Sequence, residues 1–321
     1  MGSAGNEVSS ETSMSNPAAS FEPYRGRLLG LAYRMLGSMA DAEDAVQETY
    51  LRWHGADHAN VSDPRAFLMT ATTRMCLDML TSARARREEY VGPWLPEPVL
   101  DTAALTPDRH TELAEDLSIA LLLTLDRLSP LERAAFLLHD VFDFSFSDVA
   151  PALQRSEAAC RQLAARARAH VRAARSRGAH APARAGEMDA KHAQLMSAFA
   201  VAAQSGDLNA LTQLLAGDVR VVTDGGGKVR AALDVIDGAD RAARFLVDVT
   251  RKRPGAWWRD DFTVRFATVN GLPGVVVDAP EGPVQTTAFE IQGDVIRALY
   301  VVRNPDKLRH LATAWRPRAI R

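Results

Sequence analysis

Residues 145–175 read SFSDVAPALQRSEAACRQLAARARAHVRAAR. Two helix starts lie inside this stretch: Ser145 with Asp148 three residues on, and Ser156 ahead of a long Ala-rich run. Beyond Glu157 the apolar residues Cys160, Leu163, Ala167 and Val171 recur at helical spacing. The opposite stripe is Arg161, Arg168, Arg172 and Arg175, flanked by Gln162 and Arg166. A solvated helix can carry such a face. A helix that packs by one side and offers Arg and Gln on the other also fits the major groove. There Arg pairs with guanine edges, Gln with adenine, and further arginines hold phosphates. The capped helix directly before it favours that second reading, a helix-turn-helix. Two residues depart from the usual pattern. Pro151 removes a backbone bond late in the first helix. Gln154 stands in the turn where Gly usually supplies the left-handed conformation, at a cost of roughly 1 kcal/mol.

Upstream, Ser129-Pro130-Leu131-Glu132 is a capping box with proline at the first helical position, and helical pattern is expected from near Glu112. Gly92-Pro93-Trp94-Leu95-Pro96-Glu97-Pro98 cannot be helix and marks a linker. Residues 21–90 before it read helical throughout, with a start at Asp63-Pro64. One helix places Met39, Ala42, Val46, Tyr50 and Trp53 on a buried stripe and Asp41, Asp44 and Glu48 on an acidic one. Arg74, Asp78, Arg84, Arg86 and Arg87 lie on and just after the helix from Pro64. This basic helix end suits phosphate or single-stranded DNA, or simply complements the helix dipole.

Downstream, Arg175 to Gly186 is a second linker. Helices over roughly 188–204, 207–215 and 239–252 accompany β-rich stretches at Val219–Thr223, Phe262–Val269, Val275–Asp278, Thr286–Ile291 and Val295–Val302. Asn270-Gly271 and Gly293-Asp294 are hairpin turns. Helices followed by a mostly antiparallel sheet describe an α+β domain. Asp224-Gly225-Gly226-Gly227-Lys228 lacks the Gly-Lys-Ser/Thr ending of a phosphate loop and reads as a hairpin loop. Trp257-Trp258 reads as core of this last domain, with a pocket wall as the alternative.

The chain has 321 residues, 47% apolar and 24% charged, with net charge −2. That length allows two or three domains. Residues 1–180 hold 19 Arg and no Lys against 24 acids, unlike a generic basic nucleic-acid binder. Charges are instead sorted into blocks: acidic at 41–48, basic at 84–87, acidic from Glu97 to Asp116, basic from Arg155 to Arg184. Several charged partner surfaces are implied. Two cysteines, Cys76 and Cys160, are far apart in sequence and have no partner at metal-ligand spacing, so a reduced, intracellular protein is expected. No apolar run is long enough to span a membrane, and residues 1–20 read as a disordered leader without signal-peptide character. His139, His170 and His192 are scattered. No metal site, cofactor or nucleophile–base pair is expected.

The order of elements resembles bacterial extracytoplasmic-function sigma factors. The run Asp41-Ala42-Glu43-Asp44-Ala45-Val46-Gln47-Glu48 is similar to the region 2 segment that binds the RNA polymerase β′ clamp, which implies polymerase contacts at Asp41, Asp44, Gln47 and Glu48. Pro64–Arg87 resembles the helix that opens and reads the −10 element, implying DNA contacts at Arg74, Asp78, Arg84, Arg86 and Arg87. Ser129–Arg172 resembles region 4, which reads the −35 element; Ser156, Glu157, Arg161, Gln162, Arg166 and Arg168 would be its reading residues. Trp94-Leu95-Pro96-Glu97-Pro98, Asp224–Lys228 and Asn304-Pro305-Asp306-Lys307-Leu308 resemble the three signatures of the subgroup with a fused C-terminal SnoaL-like domain. Arg74 stands where many members have Asn, and with Pro151 and Gln154 this departure bears on the promoter sequence read.

The resemblance implies a multidomain protein: two all-α sigma domains, a helical bundle and a helix-turn-helix, followed by a cone-shaped α+β SnoaL-like domain. The boundaries expected are a leader 1–20, region 2 over 21–90, a linker 91–111, region 4 over 112–176, a linker 177–186 and the last domain over 187–321. It implies a cytoplasmic, non-enzymatic factor that binds core polymerase (β′ clamp and β subunit) and promoter DNA, with no membrane partner. The last domain would regulate the sigma core in cis, with room for a small-molecule ligand. Trp94 between its prolines would be a stiff plug buried at the junction. Asp101, Asp108, Glu112, Glu115 and Asp116 would lie along a basic polymerase channel. Two other classes use the same residues. A ligand-responsive repressor would use the helix-turn-helix without polymerase. A SnoaL-like cyclase or isomerase would need paired acid/base groups, with Asp224, Asp278 and Glu290 the candidates by type.

Overall fold

The computed structural model describes residues 17–100, 105, 117–176, 190–251 and 261–314. The first unit is α1 (Pro17–Leu36), α2 (Met39–His54), a 3-10 turn (His58–Asn60) and α3 (Pro64–Glu88). Helix α1 ends where Gly37 takes φ +71° and returns its N–H to the Tyr33 carbonyl at 2.7 Å, a glycine-dependent stop. Ser38 then caps α2 by accepting from the Asp41 N–H. The expected stripe of α2 turns inward, with Met39, Ala42, Val46 and Trp53 buried against Leu28, Leu31 and Met35 of α1 and Leu68 and Cys76 of α3. The first helix begins inside the stretch 1–20 expected to be a leader. Residues 17–20 already belong to α1, because the Trp53 indole N–H donates to the Pro17 carbonyl and the Ser20 hydroxyl.

The second unit is α4 (Ile119–Asp126), α5 (Pro130–Phe136) running into a π turn (Leu137–Val141), α6 (Phe146–Leu153) and α7 (Glu157–Ser176). Ser129 with Glu132 and Ser145 with Asp148 each close a complete capping box. Gln154 takes φ 53°, ψ 47° in the turn, so a non-glycine residue does hold the left-handed conformation there. Cys160, Leu163, Ala167 and Val171 bury the inner face of α7, and both helical units share one continuous apolar core. The described part of this unit starts at Leu117; residues 112–116 lie outside it.

The third unit holds α8 (Ala190–Ser205), α9 (Leu208–Leu214), β1 (Leu215–Asp224), β2 (Ile236–Asp237), α10 (Ala239–Arg251), β3 (Thr263–Val269), β4 (Leu272–Ala279), β5 (Gly282–Gln292), β6 (Val295–Val302) and α11 (Pro305–Ala314). The sheet order is β2-β1-β6-β5-β4-β3, antiparallel except for the parallel β1–β6 pair. Strands run longer than the sequence pattern indicates, and Leu215 opens β1 instead of closing a helix. One sheet face sends Val219, Val221, Phe289 and Leu299 against α8, α9 and α10. The other face sends Val222, Ala288, Ala298, Tyr300 and Val302 against α11 and against Leu95 and Ile119 of the helical part. Both sheet faces are therefore covered, the second by the segment that links the helical units. Trp257 and Trp258 lie outside the described residues.

Candidate functional sites: two helical surfaces and the junction beneath them

Along α2 the residues pointing away from the core are acidic or polar. Asp44 and Gln47 are exposed, Asp41 and Glu48 partly so, and Glu48 meets Arg52 at 3.4 Å. Exposed Leu51 continues this face one turn on. The Glu97 carboxylate reaches back from the linker to cap this helix, accepting from the Met39 N–H at 2.7 Å and the Ala40 N–H at 3.4 Å.

On α7, Ser156, Glu157, Arg161, Gln162 and Arg166 are exposed and Arg168 is half-buried. Three of these arginines are engaged within the chain: Arg161 with Glu157 at 2.5 Å, Arg166 with Glu132 at 2.8 Å and Arg168 with Asp140 at 2.6 Å. Burial works against the Glu132 charge, but hydrogen bonds from Ser129 and Arg166 outweigh it and hold this carboxyl below its usual range.

The other candidate helix is turned against this unit. Arg74 donates to the Pro151 carbonyl at 2.6 Å and the Ala152 carbonyl at 3.3 Å, so it grips the end of α6 and is not displayed as a free cation. Nine residues earlier, Arg65 donates to the Phe142 carbonyl at 2.7 Å and lies over the Phe144 ring at 4.6 Å. Arg133 of α5 reciprocates, donating to the Met35 carbonyl and to Asp126; its burial lowers the guanidinium to about 10, so it is charged at neutral pH. Asp78 is exposed. The side chains of Arg84, Arg86 and Arg87 lie outside the described residues, as do Asp101, Asp108, Glu112, Glu115 and Asp116.

The junction centres on Asp224, at the end of β1 and fully buried. Its carboxylate accepts from the Tyr90 hydroxyl at 2.5 Å, the Leu95 N–H at 2.8 Å, the Gly226 N–H at 3.1 Å and the Lys307 ammonium at 2.7 Å. The Asp224 carbonyl accepts from the N–H groups of Arg303 and Asn304. Lys307 also donates to the Leu95 carbonyl and lies 4.4 Å over the Trp94 ring and 4.9 Å over that of Tyr90. Burial, then the hydrogen bond to Asp224 and its charge, push the Tyr90 hydroxyl well above its ordinary pKa. Asn304 donates to Tyr90 at 2.9 Å and packs on Gly226. Lys228 pairs with Asp306 at the rim, and its N–H closes the tight turn onto the Gly225 carbonyl at 3.0 Å.

A second contact ties the linker to the first unit. The Tyr33 hydroxyl donates to the Glu97 carbonyl at 2.7 Å and accepts from Asn270 at 2.6 Å, while the Asn270 N–H donates to the Val99 carbonyl. His310 of α11 faces the Pro98 carbonyl at 2.8 Å and the Glu97 carboxylate at 3.8 Å. Leu95 and Pro96 are buried, but Trp94 is only half-buried, contrary to the sequence expectation. The benzo edge of the indole lies so close to Gly37 that a Cβ there would sit 2.5 Å from Trp94 Cη2, while the ammonium of Lys307 lies over the ring. The buried plug is Leu95. In the sequence Asn270 reads only as a turn residue, and nothing marks Tyr33, Tyr90 or His310. Their partners lie tens to hundreds of residues away, and no local pattern signals them.

The acid/base candidates do not converge: Asp224 is held in the junction, Asp278 pairs with Arg265 at 2.7 Å, and Glu290 accepts from Tyr300 at 2.8 Å. Among the described residues no three His, Cys, Asp or Glu side chains group as a metal site, and no helix is long and apolar enough to cross a membrane.

Comparison with known proteins matches residues 21–86 to sigma-70 region 2 and residues 118–171 to sigma-70 region 4. The chain is 40% identical over 294 residues to the ECF RNA polymerase sigma factor SigJ of Mycobacterium tuberculosis, covering 89% of this chain and 91% of the relative. It is 30% identical to the probable ECF RNA polymerase sigma factor SigI of the same organism, covering 91% and 94%. The crystal structure of the M. tuberculosis SigJ superposes with a TM-score of 0.68 at 35% identity, covering 91% of this chain and 98% of that one. With its two helical sigma domains and a SnoaL-like α+β domain behind them, the chain belongs to the extracytoplasmic-function RNA polymerase sigma factors.

Proposed function

We propose that this sigma factor binds core RNA polymerase through the outer face of α2, directs it to promoters read by α3 and α7, and is held closed by its own C-terminal domain. The polymerase surface comprises Asp41, Asp44, Gln47 and Glu48. On α3 the −10 contacts are Arg74, Asp78, Arg84, Arg86 and Arg87. On α7 the −35 contacts are Ser156, Glu157, Arg161, Gln162, Arg166 and Arg168. The factor works in the cytoplasm and catalyses no reaction.

The single observation that carries the closed-state reading is the grip of Arg74 on the Pro151 and Ala152 carbonyls. Elements centred near −10 and −35 lie about 25 base pairs apart, roughly 85 Å along the duplex at 3.4 Å per base pair. Helices bonded directly to one another do not span that distance, so promoter reading requires the two sigma domains to part. Asp224, the Trp94–Pro98 segment and Asn304–Lys307 support the closed form, because they join linker, sigma domain and sheet through a buried ion pair and backbone hydrogen bonds. Loss of that junction favours the open form.

The test is promoter-dependent transcription by purified core polymerase with the full chain, set beside the chain carrying Asp224→Asn. Transcript from the wild type, with more at limiting factor from the variant, is the expected result. Silence from both, with tight duplex binding in the absence of polymerase, favours a repressor.

A further inference from the structure

Between α4 and the outer face of the sheet lies a cavity of about 250 Å³, room for about eight waters. It is walled on one side by the helix-turn-helix unit and on the other by β1, β5 and β6. It lies on the sheet face turned away from α8, α9 and α10, so it is separate from the space between those helices and the sheet. Three guanidiniums line it: Arg127, which caps the end of α4, and Arg220 and Arg297 on the sheet. Arg127 has no side-chain partner among the described residues. The Arg220–Asp237 pair, at 3.2 Å, is more than half exposed on both sides and therefore weak and readily exchanged. Arg297 is held by Asp218 at 2.5 Å and Gln292 at 2.8 Å. The remaining acid in the wall, Glu290, already accepts the Tyr300 hydroxyl. The wall itself carries three arginines against Asp218 and Glu290, and with Asp237, the exchangeable partner of Arg220, the charges balance; the guanidinium without a side-chain partner, Arg127, is the one on the helical side. Leu123, Ala174 and Ala298 supply apolar wall between the charges.

We propose that this cavity takes a small organic anion, a compact carboxylate with an apolar body, bridging Arg127 to the arginines of the sheet. Guanidinium forks match carboxylates in geometry as well as charge. The walls come from two units, so the complete site exists only while they are docked, and Ala174 places it against the last turns of α7. A ligand that binds only the docked form shifts the equilibrium toward it; at ten times its dissociation constant the ratio of closed to open rises about elevenfold. The binding argument stands on the cavity itself, while its consequence for transcription rests on the sigma-factor reading above.

Benzoate is the probe and benzamide its neutral control, both titrated into the full chain by calorimetry and by thermal unfolding without polymerase. Benzoate is expected to bind saturably and raise the unfolding temperature, with benzamide doing neither. Arg127→Gln, an exposed position, should fold normally and weaken benzoate by about ten- to a hundredfold. Absence of saturable benzoate binding, or equal binding to wild type and Arg127→Gln, overturns the proposal. In the transcription assay benzoate should lower the yield from wild type and leave Arg127→Gln unaffected. Binding with an unchanged transcript overturns the coupling to closure. No transcript with or without benzoate counts against the sigma-factor reading, and the binding titration is untouched by that failure.

Discussion

The Lys307 ammonium lies 2.7 Å from the Asp224 carboxylate, and the two side chains are 9% and 0% exposed. A buried ion pair is held in place less by its own net stability than by the cost of breaking it. Removing one member leaves an uncompensated charge, at about 3–5 kcal/mol. Asp224→Ala should therefore lower the thermal unfolding temperature sharply and expose the linker near Trp94 to proteolysis. Pairing Asp224→Asn with Lys307→Met should recover part of the loss, since the second change removes the stranded cation. A double-mutant cycle by chemical denaturation gives the coupling.

Arg74→Ala removes two hydrogen bonds from α3 to the end of α6. Each is worth on the order of 1–2 kcal/mol because the donor is charged. Amide hydrogen exchange at residues 146–153 should accelerate in this variant while exchange within α2 is unchanged. Arg65→Ala should do the same for the Phe142–Phe144 loop.

Glu97 ties the linker to α2, the helix proposed above to face polymerase. Its carboxylate accepts from the first N–H groups of α2, so Glu97→Ala should cost about 1 kcal/mol and fray the first turn. The prediction is weaker binding to core polymerase, measured by fluorescence anisotropy, although residue 97 lies outside α2 itself.

Two glycines separate conformational strain from collision. Gly271 and Gly226 both take positive φ, at +75° and +59°, but a Cβ on Gly271 meets nothing within 4 Å, whereas on Gly226 it falls 2.2 Å from Asn304 Nδ2. Gly271→Ala should cost roughly 1 kcal/mol, the left-handed penalty alone. Gly226→Ala should cost clearly more, because Asn304 must leave Tyr90. Replacing Asn304 with Ala in that background should relieve the difference in denaturation midpoint.

Much of the helical part was legible because its signals are local. Ser129 and Ser145 announce their helices through side chains three residues away, and the α2 and α7 stripes follow from helical period alone. The last domain was legible in its hairpin turns and in β6, less so where pairing is long-range: the two-residue β2 has no pattern of its own, and Leu215 enters β1 directly after α9. Trp94 illustrates a different limit. Its size suggested the buried plug, yet Leu95 takes that place, because Trp94 lies across Gly37 and under Lys307 with an edge left in solvent. The arginine face of α7 reads as open from helical period alone, but Glu132 and Asp140, from an earlier helix and turn, neutralise the flanking Arg166 and the stripe's Arg168. Those partners are fixed by packing and not by spacing. Burial also pushes the Cys76 and Cys160 thiols above their ordinary pKa, leaving both unreactive.

That inertness permits the most direct test of closure. Cysteines introduced at exposed Thr81 on α3 and Ala169 on α7 can carry a donor–acceptor fluorophore pair in the full chain. Energy transfer should be high for the free protein and should fall when core polymerase and promoter DNA are added, as the two reading helices part. Transcription-competent complexes that retain the high transfer of the free protein would contradict the account.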